Sequence, residues 1–110
     1  MAGTLKRYGP AYLASSATNI YTPEAATIRF DMHHIHIVNV TASAVTFTLY
    51  IGATGGSAGG TEEFKTQSIA AFSPFDFYCN YKMLSTDFLS GLASAGTSLV
   101  ITVSGELVVV

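Results

Sequence analysis

Charge is what this sequence has least of. Asp, Glu, Lys and Arg make up 11% of its 110 residues, against roughly a quarter in an ordinary soluble domain, and charge is what keeps exposed surfaces from adhering to one another. Either Thr, Ser, Gly and Asn solvate this surface or other chains cover it; the expectation is that both hold. The five cations, Lys6, Arg7, Arg29, Lys65 and Lys82, are scattered, which excludes the clustered positive footprint of a nucleic-acid binder. With one cysteine, Cys79, no disulfide closes within the chain, so core burial and partners must hold the fold. Long apolar runs are also missing. Although 49% of the residues are hydrophobic, Gly, Ser, Thr and Asn interrupt the uncharged stretches 32–61 and 88–105 before either reaches the ~20 apolar residues of a spanning helix. No membrane partner is expected. Nor does an apolar signal segment follow Lys6 and Arg7, so synthesis in the cytoplasm without export is expected.

What is present is alternation. Val45, Phe47, Leu49 and Ile51 fall on one face of an extended segment, with Thr46, Thr48 and Tyr50 on the other. The same pattern returns in Phe75, Phe77, Cys79 and Tyr81, and again in Leu99, Ile101 and Val103 up to Gly105, where a bulge or bend is expected before Leu107 and Val109 continue. Between Thr27 and Val40 the parity changes: Ile28, Phe30 and Met32 share one, Ile35 and Ile37 the other. Either an extra residue near His33 and His34 resets the face, or the strand is covered on both sides, by the core and by a neighbouring subunit; the second is slightly preferred. Residues 85–95 lack a stable helical stripe because Gly91 and Gly96 interrupt them. The pattern predicts an all-β sandwich or barrel of about seven or eight antiparallel strands over residues 19–110. It is preceded by an extended N-terminal arm over 1–18. The run Gly55, Gly56, Ser57, Ala58, Gly59 and Gly60 reads as a loop.

Catalytic patterns are lacking. The carboxylates form no acid and base pair, no nucleophile elbow occurs, and the glycine run lacks the Lys and Ser or Thr of a phosphate loop. No catalytic residue and no cofactor is assigned. On a strand, His34 and His36 share a face, and imidazoles so spaced can share one zinc ion. A third ligand is required, however: Asp31 has the other parity and Cys79 lies on a different strand. The histidines are therefore read as half-buried core or interface residues satisfied by hydrogen bonds, and no metal is assigned. Asn39, Val40 and Thr41 match a glycosylation sequon by chance.

Partner contacts are expected elsewhere. Tyr8, Tyr12 and Leu13 in the arm are apolar side chains in need of cover, and Tyr50 and Tyr78 lie opposite the main apolar rows, where protein contact is favoured over glycan contact. The chain ends on Leu107, Val108, Val109 and Val110, expected to be paired in a sheet or at an interface. With His34 and His36, the residues Tyr8, Tyr12, Leu13, Tyr50, Tyr78, Val108 and Val110 are the candidate partner-binding set.

The order of elements resembles the small jelly-roll structural proteins of tailed bacteriophage virions, found as capsid decoration or cement proteins and as minor head or tail components. The likeness spans about Asn19 to Val110. It rests on Ile20, Tyr21, Thr22 and Pro23 opening a strand; on Ile35 to Thr41 followed by Ser43 and the alternation from Val45 to Ile51; on the glycine loop; on Ile69 to Pro74 leading into an aromatic strand; and on Leu84 to Gly91 before a final pair of strands ending near Gly105. The resemblance implies a jelly-roll-like β-sandwich that forms a homo-oligomer, preferably a trimer, bound to the major capsid protein on the outside of an icosahedral shell. A tail, fibre or neck module is the alternative, with glycan binding as one form of it.

Overall fold

The alternation resolves into two sheets. The computed structural model describes residues 3–53 and 59–109; most of the glycine run and Val110 fall outside them. Eight strands follow in order: β1 (Thr4–Tyr12), β2 (Thr18–Tyr21), β3 (Ile28–Asn39), β4 (Val45–Gly52), β5 (Glu62–Ile69), β6 (Pro74–Met83), β7 (Phe88–Ala93) and β8 (Leu99–Val109). One sheet has the order β1-β8-β3-β6, the other β2-β7-β4-β5, and every pairing is antiparallel. This is the strand order of a jelly roll, in which long crossovers carry the chain from sheet to sheet.

The core lies between the sheets, where the inward residues of the central strands meet. Phe30, Met32, Ile35, Ile37, Ile101 and Val103 come from one sheet, and Phe47, Leu49, Ile51 and Leu89 from the other. At the open side, where β5 and β6 are both edges, Phe64 closes the gap edge-to-face against Phe75 and Phe77, with ring centroids 5.5 and 5.0 Å apart.

The parity change in β3 is a bulge. In the β3–β8 ladder Met32 faces Gly105 and His34 faces Ser104, so His33 is an extra residue without a counterpart in β8. The ladder to β6 shifts at the same point. Before the bulge Phe30 and Met32 point inward; after it Ile35, Ile37 and Asn39 do. The preferred expectation of a strand covered on both faces is corrected accordingly, since one inserted residue accounts for the pattern. The irregularity expected at Gly105 itself also lies across the ladder. β8 continues unbroken, and at Gly105 the backbone of the bulged strand lies where a Cβ would stand.

The N-terminal segment is extended, and β1 pairs along β8 from Thr4↔Leu107 to Tyr12↔Val100, which makes it part of the sandwich. The C-terminal strand lies between β1 and β3, paired on both sides as far as Leu107. Asn39 is fully buried. Its Nδ2 donates to the carbonyls of Ser43 and Ile69 at 2.8 and 3.1 Å, and its Oδ1 accepts from the backbone N and hydroxyl of Thr41 at 2.9 and 2.7 Å. Every polar position of this amide is used inside the fold, which gives the sequon asparagine a structural role.

Candidate functional site

The bulge decides what the outer face of the β1-β8-β3-β6 sheet displays. Had the parity of Phe30 and Met32 continued, His34 and His36 would point into the core; the inserted residue turns both outward. In the ladder to β6, His34 lies opposite Tyr78 and His36 opposite Asp76. Asp76 Oδ1 sits between the two rings, 2.8 Å from His34 Nε2 and 2.6 Å from His36 Nδ1. The ring of Tyr78 stacks on His34, with centroids 4.3 Å apart and planes within 2° of parallel. The hydrogen bonds to His36 and then to His34 hold the Asp76 carboxyl below the usual carboxylate range. His33, in the bulge, instead approaches Glu106, at 3.4 Å.

On the other side of the bulge the same face carries a second charged group. Asp31 is buried; its carboxylate accepts from Arg29 Nε and Nη2 at 2.7 and 3.2 Å and from Lys82 Nζ at 3.1 Å. The fork with Arg29, followed by Lys82, lowers its pKa against the opposing effect of burial. The sign follows: a carboxyl whose pKa falls on folding adds stability above its unfolded pKa of about 3.9. That contribution is lost as pH drops through the lower folded value. Asp31→Asn is expected to destabilise the protein by about 1–2 kcal/mol at pH 7. The deficit relative to the parent protein should shrink below about pH 4, as read by urea unfolding at a series of pH values.

The candidate partner residues divide. Tyr12 is exposed, and Tyr78 most of all, at 75%; His34 and His36 are half-buried. Two others are buried within this chain's own fold. Leu13 is 1% exposed, because after the irregularity between Tyr8 and Ala11 its backbone N bonds Leu99 O and its side chain turns into the core. Tyr50 is 8% exposed although it lies opposite the apolar row of β4. Tyr8 is half-buried: it packs edge-on against Tyr21 and Phe30 and donates its hydroxyl to Glu24 at 2.6 Å, and burial and Glu24 together push its pKa up. Val108 is half-buried opposite Arg29, and Val110 lies outside the described residues.

Sequence reasoning missed Asp76, whose nearness to His36 depends on a ladder joining segments 40 residues apart. It also missed an apolar rim. Of the nine large hydrophobic side chains exposed among the described residues, five lie on β6 or just beyond its ends: Phe72, Phe77, Tyr78, Tyr81 and Leu84. Phe72 is 71% exposed and has a φ of 54°. That backbone conformation suits Asn or Gly, and a bulky side chain adopts it at a cost.

No protein-family model matches the chain, and no curated protein does either. Among solved structures, one from a study of Bacillus endospore appendages, described as a novel family of disulfide-linked pili, aligns over 100% of this chain and 92% of its own, at 17% identity and a TM-score of 0.50. Infectious bursal disease virus, Gt strain, aligns over 96% of this chain and 29% of its own, at 10% identity and a TM-score of 0.40. A pentameric capsid protein from metagenomic phage sequences aligns over 94% and 61%, at 13% identity and a TM-score of 0.37. The appendage likeness shows a shared fold.

Proposed function

We propose that this chain is a structural subunit of a bacteriophage virion, a decoration or cement protein that oligomerises, preferably as a trimer, and binds the outside of the shell through the major capsid protein. The observation that carries this reading is the apolar rim along β6. An edge strand normally defends itself with free charge. The two charges on β6, Asp76 and Lys82, are both engaged by β3 partners, while Phe77, Tyr78 and Tyr81 stay exposed. An aromatic held out to solvent at Phe72 in a left-handed conformation fits a residue retained for contact with another chain. A protein that binds only the assembled lattice stabilises it by mass action, multiplied over many copies. Among the described residues no catalytic constellation competes with this reading, in which the chain acts by binding.

An open filament is a second reading, favoured by the two free edges of the β1-β8-β3-β6 sheet. Subunits that join through different edges form rings if the rotation closes and filaments if it does not. Covalent linkage of the kind described for the Bacillus pili does not extend to this chain, because one cysteine per subunit can join no more than two subunits.

Light scattering over a hundredfold concentration range tests the proposal. The expected mass is a fixed multiple of 11.6 kDa, preferably three, and Phe72→Asn with Leu84→Lys is expected to reduce it to one chain while the circular dichroism stays that of the parent. Asn suits the backbone at position 72, and Leu84 is exposed, so neither change threatens the fold. A parent protein that is monomeric throughout, or an oligomer indifferent to both substitutions, would overturn the rim as the interface. Mass growing without limit would select the filament.

A further inference from the structure

We propose that His34, His36 and Asp76 form a binding site for one divalent transition-metal ion per chain, with zinc the best fit. The sequence offered two ligands and no third; the ladder supplies the third. One donor atom from each residue lies within 4.8 Å of the other two. Two imidazole nitrogens and a carboxylate oxygen are a donor set that suits zinc and its borderline neighbours and is a poor match for calcium or magnesium.

The scaffold is rigid where it matters. β3 is held by β8 on one side and β6 on the other, with His36 and Asp76 directly paired. Tyr78, flat against His34, fixes the plane of that ring. Zinc lies about 2.0–2.2 Å from nitrogen and oxygen ligands, so tetrahedral donors stand roughly 3.3 Å apart. The present separations of 2.6 and 2.8 Å between Asp76 and the rings are those of hydrogen bonds. An ion entering would replace those bonds, and the carboxylate would withdraw by about half an ångström, a rotation available to a side chain that is partly exposed. Three protein ligands leave the fourth position open toward solvent, for water or for a side chain of another subunit. His33 takes no part, being turned toward Glu106.

The site is independent of the assembly reading and is tested apart from it, on untagged protein stripped with chelator. Calorimetric titration with zinc chloride is expected to give one ion per chain with micromolar affinity, and cobalt(II) to give visible absorption bands of a low-symmetry, four- or five-coordinate ion. His36→Gln and Asp76→Asn are each expected to weaken binding about tenfold or more, and His33→Gln to leave it within about twofold, a comparison that separates a built site from general affinity for histidines. In chelator all three variants are expected to stay folded with the parent's circular dichroism, so that a lost affinity is read at the site and not as unfolding. Absence of binding below millimolar zinc would overturn the proposal, as would equal losses in His33→Gln and His36→Gln.

Discussion

Gly105→Ala is expected to destabilise the protein by about 3 kcal/mol or more, enough to lower the melting temperature by roughly 10–20 °C in a domain of this size. The reason is not conformational freedom, since the backbone at Gly105 is available to any residue. It is space. An added Cβ would overlap the carbonyl oxygen of Asp31 and stand 3.0 Å from Asp31 C and Met32 Cα. All three are backbone atoms of the neighbouring strand, and a rotamer change cannot move them. Relief requires β3 and β8 to separate where Met32 pairs with Gly105, at the point where the bulge already interrupts the ladder. Gly96→Ala is the control: a Cβ there meets nothing within 4 Å. Thermal melts of the two variants should differ by most of the effect; equal melting temperatures would show that β3 yields easily.

The second large effect is expected at Asn39, where Asn39→Ala should cost about 2–3 kcal/mol, measured by denaturant unfolding. Removing the amide takes the buried carbonyl of Ile69 from this donor and the Thr41 N–H from its acceptor, while the Thr41 hydroxyl and the Ser43 carbonyl, nearer solvent, keep the bond between them. Each buried polar group left unpaired costs about 1–3 kcal/mol, partly recovered by relaxation. Asn39→Asp is the more searching substitution because it keeps the shape and reverses the donors. A carboxylate accepts well from Thr41 but confronts two carbonyl oxygens that need hydrogens. At neutral pH it should destabilise as much as alanine. In acid, protonation restores one donor, so its deficit should narrow as pH falls, the opposite of a paired surface carboxylate. Equal stability of Asn39→Asp and the parent at pH 7 would mean that the amide's orientation does not matter.

Both effects depend on pairings that lie far apart in the chain, and this also marks the limit of what the sequence discloses. The inward rows Val45 to Ile51 and Leu99 to Val103 could be read directly because a strand's period is two and each row faces one core. Residues 85–95 were separated from helix by their glycines, and β7 occupies Phe88–Ala93. The histidines were legible as a pair and not as a site. Asp76 joins them only through the β3–β6 register, which no local pattern encodes. Leu13 and Tyr50 were misjudged because local alternation does not tell how deeply a side chain is buried in the fold, and both are buried. The rim around β6 escaped notice because Phe75, Phe77, Cys79 and Tyr81 alternate as an inward row should; at a sheet edge the row is only half covered, leaving Phe77 and Tyr81 partly in solvent.

The extra residue at His33 divides β3 into two frames, as an inserted letter does a text. Upstream, even-numbered residues face the core; downstream, odd-numbered ones do. Removing His33 would merge the two frames. His34 would then follow Met32 directly, so Phe30, Met32, Ile35, Ile37 and Asn39 would fall on one face and His34 and His36 on the other, in one unbroken alternation. Along β8, the pairs Met32–Gly105 and His34–Ser104 would become consecutive. The apolar layer therefore does not need the insertion: what residue 33 adds is the local bend and twist of a bulge, and a side chain held out beside Glu106.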